Sequence, residues 1–162
     1  MREKGFSLIE VLLAPLILVF VVGGTMVIYM MSITTWKEAT TQITLQRNAS
    51  ITMEKMVRGV AGVGGIREAV SATLVNANTI RYVDNTSSNE RSFYLSDGQV
   101  FYDPDTTIAN DEFSIVYDVR TNPAGLVFAI NSDLITISLG LEDDVRDTVI
   151  NVDLSTKIKM RN

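Results

Sequence analysis

An α+β fold, with one long N-terminal helix packed on an antiparallel sheet, follows from three features of the sequence. An apolar run opens the chain, an amphipathic run continues it without a break, and from Leu74 apolar and polar residues alternate. The 162 residues leave room for one modest domain and an anchor.

The apolar run comes first. From Phe6 to Ile33 the only charged side chain is Glu10. At the helical rise, Val11 to Met31 spans about 31 Å, the thickness of a hydrocarbon core. Residues 6–33 therefore read as a transmembrane helix. Arg2 and Lys4 precede it, and Lys37 with Glu38 is the first charged pair after it. The positive-inside rule then keeps residues 1–4 in the cytoplasm and sends the remainder across. A cleaved secretory signal has a shorter apolar region, about 7–15 residues, and Gly23-Gly24-Thr25 matches its cleavage site poorly. An uncleaved signal anchor is the alternative.

Beyond Met31 the helix continues with one covered face. Trp36, Ile43 and Val57 recur at multiples of seven, with Ala39, Met53 and Val60 in a second row, and Gln46 and Ser50 interrupt the stripe. No proline falls between Pro15 and Pro104, so one helix is expected from Phe6 to near Arg58, roughly 80 Å long. Pro15 removes one helical hydrogen bond and predicts a kink between Val11 and Pro15. Gly59, Gly62, Gly64 and Gly65 end the helix, and a short helix from Arg67 to Ala72 is expected next.

The period then becomes two. Thr79 to Asp84 reads as a strand, and Asn85 to Asn89 as a polar loop. Phe93 and Leu95 lead into Asp97-Gly98, a tight-hairpin dipeptide, with Val100 and Tyr102 on the return. Phe113, Ile115, Tyr117 and Val119 alternate, as do Ile135, Ile137, Leu139 and Leu141. So does the last run, Ile150, Val152, Leu154, Thr156 and Ile158. One apolar and one wet face marks an antiparallel sheet packed on a partner, here the second half of the helix.

Composition narrows the chemistry. The net charge of −5 argues against a nucleic-acid surface. The chain has no cysteine, hence no disulfide, thiolate metal site or thiol nucleophile. It has no histidine either, which removes the commonest general base and transition-metal ligand. No catalytic residue and no cofactor are expected. Asp103, Asp105, Asp111 and Glu112 flank a loop, but calcium needs about six to eight oxygens and Asp-x-Asp supplies too few. They read as a solvated loop, and Asp143, Asp144 and Asp147 as a charged turn.

GFSLIEVLLA at residues 5–14 resembles the type IV prepilin signature. A short basic leader, a glycine, an aromatic residue, an apolar helix and a glutamate five residues after the glycine occur together. The resemblance implies a pilin-like fold: leader 1–5, membrane half 6–33 and head 34–162. It implies cleavage by prepilin peptidase between Gly5 and Phe6, with N-methylation of Phe6. A glycine suits that position, because a missing side chain lets extended backbone lie close to a protease.

Glu10 gains a role from the same resemblance. A carboxylate in the bilayer costs about 2.5–3.5 kcal/mol on insertion scales. The positive N-terminus of a neighbouring subunit would pair with it and favour the correct axial register. Pro15 departs from the family pattern, which more often has an aliphatic residue there. Gly23-Gly24 lies near a helix-loosening position of the family, and close helix packing explains it equally.

ITMEKMVRGVAGVGGIREA at 51–69 resembles, more loosely, minor pilins and pseudopilins of the J/W type. Implied partners are other pilin or pseudopilin subunits, prepilin peptidase and an inner-membrane assembly platform. The implied role is structural, in assembly initiation or at the tip of a type IV pilus or type II secretion-like filament. A signal-anchored binding or receptor domain that never polymerises is the competing reading.

Overall fold

α1 (Leu8–Arg58) is 51 residues long and stays helical through Pro15, Gly23-Gly24 and many β-branched Val, Ile and Thr residues, so its apolar pattern rather than intrinsic propensity accounts for it. The computed structural model describes residues 7–60, 63–85, 88–146 and 148–161. Residues 1–6, with Gly5 and Phe6 among them, lie outside the described residues, as do Ala61, Gly62, Thr86, Ser87, Asp147 and Asn162. The chain divides into two compact units, Met1–Thr40 and Thr41–Asn162.

The helix ends where only glycine fits. Gly59 has φ +104°, and a Cβ there would stand 1.6 Å from the Val63 carbonyl oxygen. Its N–H donates to the Lys55 carbonyl at 2.8 Å, closing the last turn.

Among the described residues eight strands follow. β1 (Ala69–Asn76), β2 (Thr79–Asp84), β3 (Glu90–Ser96), β4 (Gln99–Asp103) and β5 (Phe113–Val116) form one antiparallel sheet in that order. β6 (Leu126–Asn131), β7 (Leu134–Val145) and β8 (Thr148–Lys159) form a second, also antiparallel. Asp97 and Gly98 both have positive φ, 48° and 70°, which is the geometry of the expected two-residue hairpin turn between β3 and β4. β7 and β8 pair without a register shift from Leu134↔Lys159 to Val145↔Thr148.

The expected long helix packed on antiparallel strands is present. Leu45, Ala49, Thr52, Met53 and Met56 are the buried helix residues. Their spacing is one helical stripe. Leu45, Ala49, Met53 and Met56 belong to the same core as Ile80, Tyr82, Phe93, Val100, Tyr102 and the β7 row Ile135, Ile137, Leu139 and Leu141. Tyr82 stacks on Phe93 at 5.8 Å between centroids, and Phe93 meets Tyr102 at 4.9 Å. Each such side chain stabilises the fold by about 1.5–3 kcal/mol on burial.

Three expectations need correction, and one strand was missed. The stripe is not the row through Trp36 and Ile43, which are 68% and 66% exposed. At 100° per residue Ile43 lies about 160° from Leu45, on the opposite side of the helix. No helix covers Arg67–Ala72: a 3-10 turn, Ile66–Glu68, passes directly into β1. Pairing with β2 from Ala69↔Asp84 onward overrides the local helix preference of Ala69 and Ala72. The alternation from Phe113 to Val119 is broken, because β5 stops at Val116 and Asp118 takes φ 62°. Val116 and Val119 are buried, while Phe113 and Tyr117 are exposed. That break separates the strands into two sheets, joined among the described residues by the Val119↔Leu141 bridge. β6 was not anticipated, since Val127 and Ala129 blur its alternation of Leu126, Phe128 and Ile130.

Candidate functional site

The start of α1 is built by its own residues. Ser7 precedes the helix, and its Oγ accepts the Ile9 N–H at 3.3 Å. Glu10 reaches back, its Oε2 accepting the Ser7 N–H at 3.0 Å. This Ser-x-x-Glu arrangement is a capping box, and the carboxylate also lies at the positive end of the helix dipole. Glu10 thus has a local partner in the isolated chain, a role the sequence reading overlooked. The signal was present: SLIE at residues 7–10 is a capping-box pattern followed by an apolar run. Gly5 and Phe6, the other expected site residues, lie outside the described residues.

Beyond this cap every large apolar side chain from Leu8 to Met31 is exposed. This single N-terminal helix is long and apolar enough to cross a membrane. Such a surface is far larger than the few hundred Å² that a soluble monomer usually exposes in one patch. The Thr25 hydroxyl donates to the Val21 and Val22 carbonyls at 3.0 and 2.9 Å, which satisfies it within the helix. Gly23 and Gly24 are helical, and a Cβ at either would meet nothing within 4 Å.

In the second unit, two carboxylates of the acidic loop, Asp103 and Asp105, accept hydrogen bonds from nearby protein groups. Asp105 Oδ1 accepts the Thr107 N–H at 3.1 Å and its hydroxyl at 2.7 Å. The other oxygen accepts the Asn89 amide at 2.7 Å. The Thr107 bonds hold the Asp105 carboxyl below its ordinary range. Asp103 Oδ1 accepts the Asp105 N–H at 3.1 Å. Burial, with nearby Asp111 and Glu112, pushes the Asp103 carboxyl up. Among the described residues no three acidic groups form a metal-sized cluster.

A polar feature inside the core was not anticipated. Asp84 and Arg91 form an ion pair with side chains 0% and 7% exposed. The Tyr82 hydroxyl beside it donates to the Gly64 carbonyl at 3.2 Å. Burial first, then the neighbouring Tyr102, pushes the Tyr82 phenol far above its ordinary value. The two charges flank the polar loop between β2 and β3, and antiparallel pairing brings them together. Nothing in the residue order marks them as buried.

Two charged clefts occupy different ends of this unit. Arg58, Arg67, Lys159 and Arg161 line one of about 680 Å³. Asp97, Asp118, Glu142, Asp143 and Asp144 line another of about 430 Å³. Comparison of the chain with family models, with curated proteins and with solved structures found no match.

Proposed function

We propose that the chain is a structural subunit, a minor pilin or pseudopilin, of a type IV pilus or type II secretion-like filament. Prepilin peptidase cleaves it between Gly5 and Phe6, and Phe6 becomes the methylated N-terminus. The mature helix anchors it in the bacterial inner membrane, with the second unit on the far side, until an assembly platform moves it into the filament. One observation carries this reading: α1 is a single helix whose first part exposes apolar residues all round and whose last part buries one stripe under antiparallel strands.

Glu10 fits two steps of that life. In the membrane-held subunit its carboxylate caps its own helix. On assembly the amine of a neighbour replaces the Ser7 N–H as partner, a charge-assisted bond in place of a weaker one. Pairing also relieves the cost of carrying either charge into an apolar surrounding.

Intact mass after co-expression with a prepilin peptidase tests the reading. Loss of residues 1–5 and a gain of one methyl group are expected, and Gly5→Leu is expected to leave the precursor whole. An untouched N-terminus in the unaltered chain rejects the filament role and favours a signal-anchored binding domain.

A further inference from the structure

The geometry points to a head-to-tail contact between copies of this chain, in which the basic cleft of one takes the acidic end of the next. The proposal rests on the filament reading for its setting and adds which surfaces of the second unit meet.

The basic cleft gathers side chains from three places. Arg58 comes from the end of α1, Arg67 from the 3-10 turn, and Lys159 and Arg161 from the end of β8. Among the described residues that line it, Glu68 is the one carboxylate. Glu54 pairs with Arg58 at 3.5 Å and Asp133 with Lys159 at 3.3 Å, so two cations have rim partners. Four of the chain's 14 Lys and Arg thus meet at one end of a protein whose net charge is −5. A cleft of that sign is matched by an anionic partner of similar size.

The chain itself carries one. Five carboxylates, Asp97, Asp118, Glu142, Asp143 and Asp144, surround the second cleft, with Arg146 beyond them near the hairpin tip. The β7–β8 ladder fixes how far apart the two clefts stand. Lys159 pairs with Leu134 at one end, while Asp143 and Asp144 pair with Ile150 and Val149 at the other. Nine residue steps lead from Leu134 to Asp143, or about 30 Å along one uninterrupted ladder. The two clefts are therefore held at opposite ends of a rigid element.

Symmetry then decides the kind of assembly. A patch that meets its own copy closes a two-fold dimer. A patch that meets a different patch leaves one free at each end and propagates. Opposite charges about 30 Å apart on one ladder belong to the second class. An anionic lipid or nucleic-acid backbone would satisfy the basic cleft alone and leave the acidic one without a counterpart. A second copy satisfies both.

Charge reversal of the full chain in non-ionic detergent tests this by sedimentation velocity. One variant carries Arg67→Glu with Arg161→Glu, the other Asp143→Lys with Asp144→Lys. All four positions are exposed, so folding is preserved. Each variant alone is expected to self-associate at least about tenfold more weakly than the unaltered chain. An equimolar mixture is expected to recover association, because each variant supplies the cleft the other has lost. Raising salt is expected to weaken the unaltered chain, since screening shortens to about 3 Å at 1 M.

The chain has no cysteine. Arg161→Cys mixed with Asp144→Cys should therefore give a disulfide-linked pair that neither yields by itself. Undiminished self-association of either reversed variant overturns the proposal, whatever anion the basic cleft then holds. So does failure of the mixture to recover. Neither readout depends on Gly5–Phe6 cleavage, so this contact and the filament role can fail separately.

Discussion

The two parts of α1 obey opposite rules, although no residue interrupts the helix. Up to Met31 its large apolar side chains are exposed on every face. Past Thr41, burial is confined to Leu45, Ala49, Thr52, Met53 and Met56, while Glu54 and Arg58 face water and pair at 3.5 Å. Helical periodicity is the same in both parts, so the backbone does not explain the contrast. What differs is the surrounding that each part requires: an apolar medium on all sides, or one sheet on one side. Charges show the same division. Glu10 stands at the helix start with a backbone N–H for partner, and Asp84 with Arg91 is sealed in the core.

The sharpest way to break that comparison is to open the buried pair. Arg91→Met leaves Asp84 without its guanidinium, and loss of about 3–5 kcal/mol of stability is expected. Adding Asp84→Leu removes the stranded charge and should restore most of the loss. Chemical denaturation of the full chain in micelles, followed through the near-ultraviolet signal of the buried tyrosines, measures both. A single variant as stable as the unaltered chain would show that water reaches Asp84.

Truncating matched apolar residues in the two parts should separate them next. Met56 is fully buried, and Met56→Ala is expected to cost about 2–5 kcal/mol in the same measurement. Ile28 is 68% exposed, and Ile28→Ala should leave the unfolding of the second unit unchanged. Equal losses would mean that Ile28 packs against protein, and the anchor would need a different account.

The smallest expected change in stability, and the most informative about function, concerns Glu10. Glu10→Gln keeps a side chain that can accept the Ser7 N–H and removes the charge, whereas Glu10→Val removes both. Loss of the cap costs about 0.5–2 kcal/mol of local helix stability, seen as faster amide exchange in the first turn. Glu10→Val alone should show that effect. Co-purification with filament partners should fall for both variants, because both lack the charge that an incoming amine would meet. If Glu10→Gln is recruited as well as the unaltered chain, capping is the whole role of Glu10.

Most strands were legible because their alternation was strict. Ile135, Ile137, Leu139 and Leu141 are all buried, as their spacing requires. Asp97-Gly98 announced its turn through residues that tolerate positive φ. β1 was hidden, since Ala69 and Ala72 carry a helix preference that pairing with β2 overrules. The buried stripe of α1 was placed only in part: Met53 is buried and Val57 and Val60 pack on the core, whereas Trp36 and Ile43 are exposed. The core instead uses Ala49 and Thr52 at positions beneath the strands.

By itself the sequence determined the α+β class, the place of the apolar helix and the glycine stop after Arg58. All of these are local: they depend on residues within a turn or two of one another, and so can be read along the chain. Tertiary structure alone decided which face of α1 is buried, that the strands part into two sheets at Asp118, and that Asp84 meets Arg91. It also decided that Arg58, Arg67, Lys159 and Arg161 share one cleft. Those residues are separated by up to a hundred positions, and β pairing, which brings distant segments together at a fixed register, is what joins them.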